Sequence, residues 1–151
     1  EGNFGAAYTE NGVIRYPFEI RGNDFFMGDV RSADITSNCT TGYHELPIAV
    51  LIGPVTSSSG TITAIAFKNR PHTQFIGEAT ADGYSTGNGY YVFGENLTMN
   101  LATTYFGDRT GVVYKTVVKP DVVISGKDEF VNLSADRKVN YALMWLKSIQ
   151  H

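Results

Sequence analysis

The chain has 151 residues, of which 42% are hydrophobic, and a formal net charge of −3. This length and composition suit one domain with a buried core and argue against an intrinsically disordered chain. Lysine and arginine form no cluster, which argues against nucleic-acid binding, and the longest apolar run, from Leu46 to Gly53, is too short to cross a bilayer.

Two strands are predicted near the start of the chain, at residues 6–8 and 13–20. Between them, Asn11-Gly12 is a favoured pair for a tight hairpin turn. Residues 21–43 are rich in Gly, Asn, Asp, Ser and Thr. That composition predicts a long irregular loop or a short helix–turn region.

Strand patterns dominate the middle of the chain. The continuous apolar run Ile48–Ile52 predicts a central strand buried on both faces. Residues 97–106 alternate apolar and polar side chains, as in a half-buried strand, and they follow residues 90–93 as the second arm of a hairpin. The aromatic pair Tyr90-Tyr91 is expected in the core. Further strands are predicted at residues 73–79, 112–118 and 121–124.

The end of the chain has helical spacing. From Ser134 to Ile149, apolar residues recur every three or four positions, at Val139, Ala142, Leu143, Leu146 and Ile149. Ser134 is the expected N-cap, and Asp136 suits the positive end of the helix dipole. The pattern therefore predicts a helix over residues 134–149.

A serine-rich turn, Thr56-Ser-Ser-Ser-Gly60, follows the apolar run, and the segment after it is ambiguous. The β-branched residues in Thr61–Phe67 favour the second arm of a hairpin, in which the serines are ordinary turn residues. Ile62, Ile65 and Ala66 also form one helical stripe. A strand–turn–helix would instead put a serine hydroxyl beside free backbone N–H groups.

The other polar residues indicate neither a metal nor a cofactor. His44, His72 and His151 have no metal-ligand spacing with acidic residues, so we expect no zinc site. The glycine-rich stretch at residues 83–89 lacks the lysine of a phosphate-binding loop. Cys39 is the only cysteine, which excludes an intrachain disulfide and leaves the redox compartment open.

Several segments, in order along residues 47–124, resemble the S41 family of tail-specific (C-terminal processing) serine peptidases, on its tricorn-like branch. Thr56–Gly60 resembles the family's nucleophile turn, and the apolar stretch after it resembles the family's next helix. Phe75-Ile-Gly-Glu-Ala-Thr80 and Ser85-Thr-Gly-Asn88 resemble two later family segments. The resemblance implies an α/β fold, with a mixed sheet and a few helices, that is part of a crotonase/ClpP-like catalytic core.

The resemblance also assigns roles to residues of the turn. The nucleophile position falls on Ser58, and the backbone N–H of Ser59 becomes an oxyanion donor. A serine hydroxyl needs a base to take its proton, and the tetrahedral intermediate needs N–H donors. The implied activity is a serine endopeptidase acting through an acyl-enzyme on a peptide or protein, outside the bacterial cytoplasm.

Departures from the family pattern limit this prediction. The family's lysine base would fall in Thr80–Tyr84, which has no lysine, and Thr61 replaces the glutamate that follows the nucleophile turn. The resemblance places the base and the second oxyanion donor upstream of Glu1. We therefore expect residues 1–151 to be the C-terminal portion of a longer catalytic domain, inactive when isolated. The alternative is a non-catalytic module of the same fold that binds a peptide or small hydrophobe.

Overall fold

A computed structural model of the protein describes residues 2–34, 45–83 and 85–149. Cys39, His44, Tyr84 and His151 lie outside these described residues. Within the described ranges the elements are β1 (Gly2–Tyr8), β2 (Ile14–Arg21), β3 (Asp24–Met27), β4 (Val30–Asp34), β5 (Ile48–Ile52), α1 (Ser59–Phe67), β6 (Thr73–Gly77), β7 (Thr86–Phe93), β8 (Leu97–Asp108), β9 (Val113–Tyr114), β10 (Val122–Val123) and α2 (Arg137–Ser148).

The strands form two sheets. The larger is antiparallel, with the order β4-β3-β2-β1-β8-β7, and β9 also pairs with β8. The smaller is parallel, with the order β10-β6-β5, and α1 makes the crossover from β5 to β6. This architecture confirms the predicted α/β class with few helices, and it puts the parallel and antiparallel strands in separate sheets.

The predicted hairpin at the start of the chain is confirmed, since β1 and β2 pair antiparallel around the Asn11-Gly12 turn. The prediction of an irregular loop after residue 21 is wrong for the described part, because β3 and β4 extend the same sheet. Gly22 and Gly28 adopt φ values of 61° and 62° and allow tight turns between very short strands. Because β3 and β4 have only four and five residues, the many turn residues around them make the segment resemble a loop in sequence.

The hydrophobic core lies around α1. Ile52, Ala64, Ile65, Phe75 and Val118 form one buried cluster. The cluster also contacts aromatic side chains of the larger sheet, and α1 packs against strands of both sheets. Burial of Ala64 and Ile65 against this surface explains why a segment with high β-propensity is a helix, since packing outweighs a weak local preference.

β5 is an edge strand within the described residues, which corrects the prediction of a central strand buried on both faces. It pairs with β6 along its length and with no other described strand. Leu51 is 41% exposed, whereas Ile52, at the carboxyl end, is 3% exposed. The apolar run is therefore buried fully only where it enters the turn that follows.

The β7–β8 hairpin is confirmed, but its outer half is exposed rather than half-buried. β1 pairs only with residues 105–108 of β8, so the outer part of the hairpin extends beyond the other strands of the larger sheet. Leu97 and Leu101 are exposed, which contradicts the predicted alternation. Tyr90 is 70% exposed, so the expectation that the Tyr90-Tyr91 pair lies in the core is wrong as well.

α2 confirms the predicted C-terminal helix, with a later start. The cap is Asp136 and not Ser134, because the Asp136 carboxylate accepts hydrogen bonds from the backbone N–H groups of Lys138 and Val139. The Ser134 hydroxyl donates to the Asn132 side chain instead, at 2.6 Å. Neither helix in the described ranges has the length and apolar content needed to cross a membrane.

A buried carboxylate holds the far end of α1. Asp108, 1% exposed, accepts hydrogen bonds from the Asn69 amide at 2.8 Å, the Tyr114 hydroxyl at 2.8 Å and the Thr110 hydroxyl at 2.7 Å. Burial alone would raise the pKa of Asp108, but hydrogen bonds from the Thr110 and Tyr114 hydroxyls and from the backbone N–H groups of Thr110 and Val112 bring it below its ordinary value. Burial and the hydrogen bond to Asp108 raise the pKa of Tyr114. Asp108 is therefore charged and fixes the chain just after α1.

Replacing Asp108→Asn is expected to lower the free energy of unfolding by about 2 kcal/mol at neutral pH, because hydrogen bonds to a charged group are worth roughly 1.5–3 kcal/mol. The folded-state pKa is depressed, so this contribution is complete above the unfolded pKa of about 3.9 and is lost as the pH falls through the folded value. Urea unfolding of both proteins at decreasing pH measures the difference.

Asp82→Asn, in an exposed turn, is the matched control and should change stability by less than about 0.5 kcal/mol. A difference between wild type and Asp108→Asn that stays constant from neutral pH to acid would contradict the assignment of a charged, hydrogen-bonded Asp108.

Candidate active site

The turn after β5 is closed by Thr56. Its backbone N–H donates to the Gly53 carbonyl at 2.8 Å, and its hydroxyl accepts from the Gly53 N–H at 3.1 Å. These two hydrogen bonds close the chain on itself as it leaves the sheet. The direction in which residues 57–59 emerge is therefore set by the end of β5.

Ser58 stands at the bend between this turn and α1. Its backbone adopts φ 50° and ψ −123°, and α1 begins at the next residue. A positive φ is costly for a residue other than glycine, and such strain concentrates at functional sites. The strand–turn–helix alternative is thus confirmed, and the hairpin alternative is wrong for Thr61–Phe67.

The Ser58 side chain is exposed, although it occupies the N-cap position of α1. It makes no side-chain capping hydrogen bond, whereas a serine in that position ordinarily accepts one from the first turn. Its backbone carbonyl accepts the N–H of Ile62 at 3.0 Å instead. The hydroxyl of Ser58 is therefore not used to hold the helix.

The backbone N–H groups near Ser58 are those of the first turn of α1. The Gly60 N–H donates to the Ser57 carbonyl at 2.9 Å. The N–H of Ser59 also belongs to the first turn, where helical N–H groups have no intrahelical acceptor and the helix dipole is positive. The predicted pairing of the Ser58 hydroxyl with the Ser59 N–H stays a prediction.

Thr61 braces the bend from inside the protein. It is fully buried, and its hydroxyl donates to the Thr56 carbonyl at 3.2 Å. The same carbonyl accepts the Ala81 N–H at 3.0 Å. At the position where the resembling family has a glutamate, this chain therefore has a hydroxyl that ties the helix to the turn and that is buried away from any substrate.

The segment Thr80–Gly83 packs beside the turn after β5. It belongs to the stretch where the family's lysine base would fall, and it contains no lysine. Thr80 is 3% exposed, and its hydroxyl accepts the Val118 N–H at 2.9 Å while its own N–H donates to the Val118 carbonyl at 3.1 Å. These contacts give Thr80 a structural role. The hydrogen bond from the Ala81 N–H to the Thr56 carbonyl joins this segment, which follows β6, to the turn before Ser58.

A second support for the turn comes from α2, which packs against β5 and β6. Lys138 is 5% exposed, and its ammonium contacts Asp128 at 2.6 Å and Glu78 at 3.3 Å. A side chain at Gly53 would begin 3.3 Å from the Lys138 Nζ, so the ammonium lies directly against the start of the turn. Lys138 links α2 to the carboxyl ends of β5 and β6.

Lys138 is held in its charged form. Burial alone would lower its pKa, but the carboxylates of Asp128 and Glu78 raise the pKa above its ordinary value. The sequence alone does not single out Lys138, because a lysine in an amphipathic helix is normally solvated. The available signal was its position four residues before Ala142, which places both on the buried side of α2.

Two further lysines that could serve as a base have other partners. Lys68 contacts Asp121 at 3.2 Å and lies over the ring of Phe75, and Lys115 donates to the Glu10 carbonyl at 2.9 Å. His72 follows α1 at the start of β6, and its carbonyl accepts the Ile48 N–H. No group of three or more metal-binding side chains occurs among the described residues.

Ser58→Gly is expected to raise the free energy of unfolding relative to Ser58→Ala by about 1 kcal/mol. A strained φ costs about 1–3 kcal/mol in a residue with a Cβ, and glycine loses about 1 kcal/mol of this gain through its greater freedom in the unfolded chain. Urea unfolding of the two variants measures the difference. Equal stability, or a less stable glycine variant, would mean that the Ser58 backbone is not strained.

Lys138→Ala is expected to lower the free energy of unfolding by about 3 kcal/mol, because removing one partner of a buried ion pair leaves its carboxylates uncompensated. The value is at the low end of the usual range because Glu78 and Asp128 are partly exposed. Lys147→Ala, on the exposed side of the same helix, should have an effect of less than about 0.5 kcal/mol. Equal effects in the two variants would contradict the bracing role.

An exposed serine at a strained bend between a parallel strand and a helix is the arrangement of a nucleophile in serine hydrolases of α/β fold. The family comparison is more specific. The model of the peptidase family S41 matches residues 13–124, that is 112 of the 151 residues. The chain belongs to peptidase family S41.

Two bacterial proteins are similar to this chain, one in sequence and one in structure. The chain is 28% identical over 142 residues to the nisin-resistance protein of Lactococcus lactis subsp. lactis, covering 93% of this chain and 40% of that protein. A lipoprotein from Streptococcus agalactiae has a similar structure, with a TM-score of 0.54 and 32% identity over 68% of this chain and 32% of that one.

The fold is also that of the photosystem II D1 C-terminal processing protease. The TM-score is 0.52 at 20% identity, and the match covers 83% of this chain and 28% of the protease. The chain thus spans 40% or less of the length of each of these three proteins. The predicted resemblance to C-terminal processing peptidases is confirmed.

Proposed function

We propose that this chain carries the nucleophile of a serine peptidase and that Ser58 is that nucleophile. The observation that supports it most directly is the positive φ of Ser58. At the start of α1, the exposed hydroxyl of this residue makes no capping hydrogen bond. Strain of this kind is retained where function requires it. Membership of a peptidase family supplies the reaction class.

The chemistry then proceeds in two stages. The Ser58 oxygen attacks the carbonyl carbon of a peptide bond while a base takes its proton, and the negative charge moves to the carbonyl oxygen. The Ser59 N–H is proposed to donate to that oxygen. The C–N bond breaks, the amine leaves with the proton, and an ester joins the substrate acyl group to Ser58. Water hydrolyses the ester and restores the hydroxyl.

The general base and a second oxyanion donor are proposed to come from a region that precedes this chain in a longer protein. The three compared proteins are all at least twice as long as the matched part. Lys138 is paired with two carboxylates, and Lys68 is held by Asp121, so neither is suited to take a proton from Ser58. We infer that residues 1–151 alone have no peptidase activity.

The relatives also suggest where and on what the enzyme acts. One compared structure is named a lipoprotein and one relative a nisin-resistance protein. A site of action at the bacterial cell envelope, with a peptide as the substrate, is therefore our proposal for this chain. Nisin, which the name of that relative contains, is the first substrate to test.

A non-catalytic peptide-binding module is the second candidate, and Thr61 favours it. A buried hydroxyl committed to the Thr56 carbonyl stands in place of the polar group that the resembling family has beside its nucleophile. The two candidates differ in the reactivity of Ser58, because a binding module needs no activated hydroxyl.

A fluorophosphonate probe applied to the longer protein tests the proposal. Labelling is expected at Ser58 and should be abolished by Ser58→Ala, because only an activated serine reacts. Ser57→Ala and Ser59→Ala are matched controls that change neighbouring hydroxyls and keep every backbone N–H, so their labelling should remain. Mass spectrometry of the labelled peptide identifies the site.

Intact labelling in Ser58→Ala would show that another serine reacts, and no labelling of a folded longer protein would favour the binding module. Isolated 1–151 is expected to remain unlabelled at the concentrations that label the longer protein.

A further inference from the structure

An apolar cavity opens beside the bend that carries Ser58. It has a volume of about 160 Å³ and lies between the end of β5 with its turn and the segment that leads into α2. We name it the elbow pocket. Its apolar walls are Leu51, Ile52, Val55, Phe130, Leu133 and Val139.

The elbow pocket is close to the proposed nucleophile. Thr56 lines it, and Thr56 is two residues before Ser58. Since consecutive Cα atoms are about 3.8 Å apart, the Cα atoms of Thr56 and Ser58 are separated by at most about 7.6 Å. An extended peptide advances about 3.3 Å per residue. The separation between Thr56 and Ser58 therefore corresponds to little more than two residues of an extended peptide.

The polar groups of the pocket are already paired. Lys138 contacts Asp128 and Glu78, while the Asp136 carboxylate accepts backbone N–H groups of Glu129, Lys138 and Val139. A charged ligand would have to compete with these contacts or enter without a partner, and a buried unpaired charge is strongly unfavourable. The pocket therefore favours an apolar group.

Its size and its mouth suit one large side chain. An apolar cavity of about 150 Å³ accommodates a benzene molecule, so the elbow pocket accepts a group as large as a leucine or phenylalanine side chain. Phe130 and Val55 at its rim are 77% and 74% exposed, which leaves apolar surface at the entrance. Exposed apolar surface beside a reactive group is typical of a substrate-binding site.

We propose that the elbow pocket receives an apolar side chain of the peptide substrate, next to the bond that Ser58 attacks. The inference rests on the proposed peptidase function and adds a substrate class to it, namely peptides with a leucine- or phenylalanine-sized residue near the cleavage site.

Binding is tested without catalysis. Residues 1–151, labelled with ¹⁵N, are titrated with N-acetyl-leucine amide and, as a control, N-acetyl-aspartic acid amide. The leucine amide is expected to shift the amide signals of Val55, Thr56 and Val139, and the aspartate analogue is not. Absence of these shifts up to the solubility limit of the leucine amide would count against the pocket.

Specificity is tested in the longer protein with two variants. Leu133→Trp fills the pocket, whereas Val131→Trp, on a fully exposed neighbour that does not line it, is the matched control. The wild type is expected to prefer leucine over alanine near the cleaved bond by roughly 10- to 100-fold in kcat/KM. Leu133→Trp should reduce this ratio toward unity, and Val131→Trp should keep it. Unfolding curves establish that both variants fold.

The outcomes separate the two proposals. Ser58 labelling with no amide binding and an unchanged preference in Leu133→Trp would overturn the pocket and leave the peptidase. Amide binding without labelling would overturn the peptidase. If another part of the longer protein fills the cavity, Leu133→Cys in a Cys39→Ala background would not react with a thiol reagent in the folded protein, and that result would overturn the pocket too.

Discussion

Four hydrogen bonds converge on Thr56, and the geometry of the bend depends on them. Its N–H and hydroxyl bond to Gly53 at the end of β5, while its carbonyl accepts both the Thr61 hydroxyl and the Ala81 N–H. One residue thereby joins a strand, the helix that follows it and the segment after the next strand. A strained Ser58 persists because its neighbours on both sides are fixed by such contacts.

The two helices contribute differently to this site. α1 packs against strands of both sheets, and Asp108 holds the chain just beyond the helix through Asn69. α2 packs against β5 and β6, and its Lys138 contacts Glu78 and the start of the turn after β5. Apolar packing around α1 and the ion pairs of Lys138 both support the bend, so its position depends on both.

Much of this could be predicted from local pattern, and the exceptions have physical reasons. The helix α2 was evident from spacing, but its cap was misplaced because Ser134 and Asp136 are both good caps and only the folded geometry chooses between them. α1 was ambiguous because propensity and periodicity disagreed, and burial of Ile65 decides the matter. The exposure of Tyr90 could not be predicted, because it depends on how far β1 pairs along β8. The burial of Lys138 could not be predicted either, because it depends on a carboxylate distant in sequence, that of Glu78.

The order of these contacts along the chain has a consequence for biosynthesis. β5, the bend and α1 occur in the first half of the sequence, whereas Val118, β10 and Lys138 come much later. Chains emerge from the ribosome amino end first, at roughly 5–20 residues per second. For several seconds the nascent polypeptide therefore contains residues 56–67 without the Lys138 ammonium that contacts the start of the turn in the folded protein.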